Sequence, residues 1–173
     1  MSGSLILLDR QEVSATNTGQ VILSGITSEY HNFFIVGYNL QADTDAVQLV
    51  FRLMSGGTEK STSNYAYSNK VLKSHTTFSH DYDTGINFGR LQLYYGTAGN
   101  EFGNFRLHLW NANESNEYTM WNEDSANRDP NGNSISVKGG GVYRVLESHD
   151  ALKFYYDTAN IYNGTFLLYA YRK

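Results

Sequence analysis

Along most of this chain apolar and polar residues alternate, and apolar residues nowhere recur at helical spacing for more than about two turns. Val47, Leu49, Phe51 and Leu53 interleave with Gln48, Val50, Arg52 and Met54; Leu91, Leu93 and Tyr95 with Gln92 and Tyr94; Phe105, Leu107 and Leu109 with Arg106, His108 and Trp110. Successive side chains of a strand point to opposite faces, so this pattern requires half-buried strands. Similar segments run over 5–13, 20–26, 31–40, 62–67, 86–88, 118–121, 134–137, 142–146, 151–156 and 165–172, ten or more short strands in all.

The connections carry turn chemistry. Gly56-Gly57, Gly96, Gly99, Asn131-Gly132, Gly139-Gly140-Gly141 and Asn163-Gly164 are expected to supply the positive φ values of tight turns. The single proline, Pro130, falls in the polar stretch 122–133, which reads as the longest exposed loop. Neither a solenoid repeat nor an interdomain linker is evident. The expectation is one all-β domain over residues 1–173, an antiparallel β-sandwich, jelly-roll-like. Alternation alone does not decide between a sandwich and a closed barrel.

Composition narrows the function classes. Lys+Arg 13 against Asp+Glu 17 gives a net charge of -4, without the cationic field a phosphate backbone requires, so no nucleic-acid partner is expected. With 0 Cys there is neither a disulfide framework nor a thiolate metal site. The first apolar run, Leu5 to Leu8, stops at Asp9-Arg10, too short for a secretory leader, and no run reaches the 18 or so residues of a membrane helix. Synthesis in a cytoplasm without membrane insertion is expected.

Chemistry-bearing clusters are weak. His80, Asp81 and Asp83 offer metal-ligand types, but neighbours on a strand face opposite ways, and a solvated loop is the better reading. Asp129, Asn131 and Asn133 copy the opening of a calcium loop; the sixth position is then Ser134 and the twelfth Gly140 instead of Glu, so Asx-turn use is preferred. A looser calcium site within 122–133, sharing another loop, stays open. Glu147-Ser148-His149-Asp150 lists catalytic ingredients in a row, yet consecutive residues rarely converge, and a hairpin connection between Val145 and Leu152 accounts for them. No enzyme activity, cofactor or metal is expected.

The aromatics say more. Tyr38, Tyr65, Tyr67, Tyr82, Tyr94, Trp110, Trp121, Tyr169 and Tyr171 fall partly on the strand faces opposite the aliphatic ones. Amphipathic rings suit contacts that are part apolar and part wet. They could fill a second sheet's inner face, form a subunit interface, or make a platform for sugar rings. The candidate interface or glycan-contact residues are Tyr65, Tyr67, Tyr82, Trp110, Trp121, Tyr169 and Tyr171. A sandwich also has edges, normally blunted by Lys, Pro or bulges. With 1 Pro available, neighbouring subunits are expected to cover some of them.

Two stretches carry a resemblance. Leu5 to Val13, Gln20 to Ile26 and Glu29 to Val36, with the Gly25-Ile26, spacer, Tyr30 turn, are followed by Val47 to Leu53, Gly56-Gly57 and Ser63-Asn64-Tyr65-Ala66-Tyr67. Near the end stand Leu152 to Tyr156 and Asn163-Gly164 leading into Thr165 to Tyr171. Together these resemble a small β-sandwich family of virion structural proteins in tailed bacteriophages, over the first 67 and last 25 residues. The chain departs from that pattern in the acid- and Asn-rich segment 111–133 and in lacking an Asn-Gly-Asp turn after Leu53. The resemblance carries no catalytic or ligand residues. It implies a structural role on the virion surface, as a head decoration or knob protein or a tail fibre or spike component. A small homo-oligomer, a trimer, contacting other virion proteins is expected. The rival is a module binding carbohydrate or a host surface glycan.

Overall fold

The computed structural model describes residues 5–171. It is all-β: thirteen antiparallel strands form two sheets, and the described residues contain no helix. In chain order they are β1 (Leu5–Val13), β2 (Val21–Ser24), β3 (Asn32–Ala42), β4 (Val47–Ser55), β5 (Thr58–Glu59), β6 (Tyr65–Lys73), β7 (Ser79–Ile86), β8 (Gly89–Tyr95), β9 (Gly103–Trp110), β10 (Thr119–Arg128), β11 (Ser134–Tyr143), β12 (Ala151–Tyr156) and β13 (Ile161–Tyr171). Eight of them make one sheet in the order β1-β13-β3-β9-β10-β11-β6-β7; the other follows β2-β12-β4-β5, with β8 also paired to β4. The alternation seen in the sequence is the burial pattern: Leu49, Phe51, Leu53, Phe105, Leu107 and Leu109 all lie in the core between the sheets. The expected end of the last strand, Arg172, lies outside the described residues.

Rings lying over glycines organise that core. Gly37 is paired with Phe105, Gly89 with Phe51 and Gly141 with Trp121, and at each glycine a Cβ would run into the ring of its cross-strand partner. Phe51 and Trp121 meet edge to face at 5.1 Å, and Phe105, Phe154 and Phe166 continue the cluster. Tyr65 closes it with its hydroxyl, which accepts from Leu53 N and donates to Lys60 O, both at 3.0 Å.

Several expectations about loops are corrected. The segment 122–133 is not a long exposed loop: β10 continues through it to Arg128, and only the turn from Asp129 to Asn133 remains. Its polar residues point inward for a reason. β8 pairs with β4 on one side only, and its other edge is met by β10 side chains: Ser125 Oγ donates to Leu91 O (2.9 Å) and Asn127 Nδ2 to Leu93 O (3.0 Å). Gln92 Nε2 returns a bond to Asn104 O (2.9 Å). The glycine triplet is likewise no turn but the middle of β11, and Gly96 and Gly99 keep negative φ, whereas Gly56, Gly57, Gly132 and Gly164 have positive φ. Residues 86–88 mark the junction of β7 and β8 rather than a strand of their own, and His80, Asp81 and Asp83 lie on β7, not in a loop. The connection from Arg144 to Asp150 joins β11 to β12 across the two sheets, so it is not a hairpin.

Candidate functional site

The clusters suspected of chemistry do not converge on a reactive centre. Asp129 Oδ1 accepts from Asn131 N (3.0 Å) and Asn133 N (2.8 Å), and Oδ2 from Asn133 Nδ2 (3.0 Å), as an Asx turn does. Burial pushes this carboxyl up, but those bonds outweigh it and hold it below its ordinary range. Glu147 is engaged by Lys60 Nζ (2.7 Å) and the Tyr143 hydroxyl (2.9 Å), and Asp150 Oδ2 accepts from Gly56 N (2.8 Å). His149 is buried beneath the Tyr143 ring, and desolvation takes its pKa down to about 4, so it stays neutral at physiological pH. No group of three or more His, Cys, Asp or Glu able to hold a metal occurs among the described residues.

The inner face of the large sheet does hold an unusual acid. Glu123, Gly139, Asn69 and Asp81 are successive partners across β10, β11, β6 and β7 and so share one row. Gly139 has no side chain, and the Asn69 amide oxygen occupies the space a Cβ would need, facing Glu123 across it. Glu123 is 3% exposed, and no hydrogen bond of good geometry reaches its carboxyl oxygens or the Asn69 amide beside it. Burial drives its pKa far up and nearby Asp81 adds to the rise, while Asn69 and Arg90 oppose it. Arg90 is committed to Asp81, at 2.6 Å. Glu123 and Asn69 are buried within this row, while the Asp81 and Arg90 side chains at its end keep 15% and 17% exposure.

The accessible feature is the outer face of the same sheet. One outward row runs Leu7, Tyr169, Phe34, His108, Asn122, Gly140, Ser68 and Tyr82; the next carries Leu5 with Tyr171, and Asn32, Trp110, Met120 and Val142. Leu7 and Met120 are each 51% exposed. His108 sits among rings: Phe34 at 4.7 Å, and Trp110 and Tyr171 nearly parallel to it at 5.9 and 6.3 Å. Burial lowers its pKa, and Arg106 lowers it further. Beside Trp110 and Met120 a groove of about 980 Å³ opens over Gly139, Gly140 and Gly141.

Of the seven aromatics singled out from sequence, Trp110, Tyr169 and Tyr171 come together on this outer face, and Tyr82 lies apart on β7, 73% exposed. Tyr65, Tyr67 and Trp121 are instead buried between the sheets, because their strands turn those positions toward the core. Leu5, Leu7, Phe34, His108 and Met120 were missed as members of the face. A signal was present for Phe34 in the run Phe33 to Val36 and for Leu5 and Leu7 in the run Leu5 to Leu8, where consecutive apolar residues make both sides of a strand apolar; His108 and Met120 had none. The chain matches no protein-family model, and a search of curated proteins finds no relative.

Proposed function

We propose that the chain is a structural component of a tailed-phage particle surface, of the head-decoration or tail-fibre type, acting by assembly rather than catalysis. The observation that carries this reading is the aliphatic and aromatic band across β1, β13, β3, β9 and β10, which faces solvent in the single chain. Contiguous apolar surface of this kind marks an interaction site. The sequence resemblance to virion sandwiches supplies the setting. Sedimentation should show the protein as a homo-oligomer at micromolar concentration, and the double variant Leu7→Asp with Met120→Glu should sediment as a monomer with unchanged thermal stability. A monomeric wild type would end the assembly reading; imaging of particles with and without the protein would locate it on head or tail.

The groove beside Trp110 favours a second reading, a host-glycan site in which the indole stacks on a sugar ring and Asn111, Asn122 and Ser68 offer amide and hydroxyl partners. On that reading a glycan array should show binding that Trp110→Ala abolishes. An array blank with wild-type protein removes it.

A further inference from the structure

We infer that the outer face of the eight-stranded sheet pairs with the same face of a second copy, about a two-fold axis that lies across the strands and passes through His108. The inference rests on the assembly reading above and names the partner and its geometry.

Shape and area come first. Eight strands about 4.8 Å apart and outward rows roughly 7 Å apart give a face on the order of 700–800 Å², close to the ~800 Å² per partner of a standard interface. Sheets stack face to face with their strands aligned to within about 30°, so the natural cover for one such face is another.

Charge then selects the arrangement. Arg10, Arg106, Lys138 and Lys70 lie on one outward row; Arg106 is held by Asp124 of the same row at 2.8 Å and Arg10 by Glu12 at 2.7 Å. At the other end of the same strands, the loops flanking Asn32 and Trp110 carry Glu29, Glu114 and Glu117. Stacking with strands in the same direction would set basic row on basic row. A half-turn about the row containing His108 reverses the strands, so the basic row no longer meets itself and Arg106 of each copy faces the Trp110 end of the other's β9, the end that leads to Glu114. A two-fold contact of this kind is isologous, using one patch twice.

On β9 the outward residues are Asn104, Arg106, His108 and Trp110. Reversal about His108 therefore places each Trp110 ring opposite Arg106 of the second copy, a cation–π pairing, and each His108 opposite its own counterpart. The rings around His108 form the dry centre, and the charged rows form the rim.

The absence of cysteine makes the axis directly testable. His108→Cys, with Asn122→Cys on the neighbouring strand as a second site, should be joined into a covalent dimer by a short bismaleimide that spans the roughly 10 Å between stacked sheets, seen on a denaturing gel. Ile22→Cys, exposed on the other sheet, should not. Arg106→Glu should weaken association roughly tenfold by removing the cation over the indole. A monomeric wild type overturns both this inference and the assembly reading. A wild-type oligomer whose mass is that of a trimer, or one in which neither His108→Cys nor Asn122→Cys crosslinks, overturns the two-fold axis alone.

Discussion

Glu123→Gln should make the protein more stable, and increasingly so as pH rises. Glutamine is nearly isosteric with the neutral acid, so it keeps the packing across Gly139 while removing a group that resists ionisation in its buried row. The sign follows from the raised pKa. An acid easier to ionise in the unfolded chain than in the folded one contributes its full stability below the unfolded pKa, near 4.5, and loses it as pH climbs toward the folded value. At pH 4 wild type and variant should therefore unfold at nearly the same temperature. At pH 8 the variant should unfold several degrees higher, because only the wild type must either take up a proton on folding or bury a charge. Thermal unfolding followed by circular dichroism at both pH values is sufficient. A gap that does not change with pH would mean that Glu123 ionises as readily in the folded chain as in the unfolded one, and a variant less stable at pH 8 would mean that it is charged and paired in the folded chain.

Gly141→Ala should be strongly destabilising. Its Cβ would collide with the Trp121 ring and with the Ala66 carbonyl oxygen. The indole has little room to yield, because Phe51 meets it edge to face at 5.1 Å and Tyr65 packs against it at 6.3 Å. Overpacking of this kind, with a backbone atom among the clashing partners, costs about 3 kcal/mol, or roughly 6–12 °C. Gly99→Ala is the matched control, since nothing lies within 4 Å of its added methyl and its φ is not positive; it should stay within about 0.5 kcal/mol of wild type. Similar midpoints for the two variants in urea unfolding would show that the sheet relaxes around residue 141.

These two positions also show where sequence reading succeeds and where it stops. A strand such as β9 was visible because its inner face, Phe105, Leu107 and Leu109, meets the core while Asn104, Arg106 and His108 turn outward; β4 was visible from its inner face alone, since Val50 and Met54 on the other face are buried as well. β10 was not. Glu123, Ser125 and Asn127 look like loop residues in a linear pattern, yet they point inward to meet an acid row and the free edge of β8. The glycine triplet misled for a related cause: glycine permits positive φ, but at 139 and 141 it was required by the absence of a side chain, which gives Asn69 and Trp121 their places. Such needs arise from partners far along the chain, and local spacing does not report them. For the outer face, the sequence supplied Trp110, Tyr169 and Tyr171; grouping them with Phe34, His108 and Leu7 required the register of β1, β13, β3 and β9.

The bonds from Ser125 and Asn127 to the β8 backbone have a mechanical consequence. They bridge the layers sideways, so a force tending to slide one sheet over the other loads these bonds together instead of being resisted by greasy contact alone. This stitching stiffens the sandwich in that direction without a single covalent crosslink.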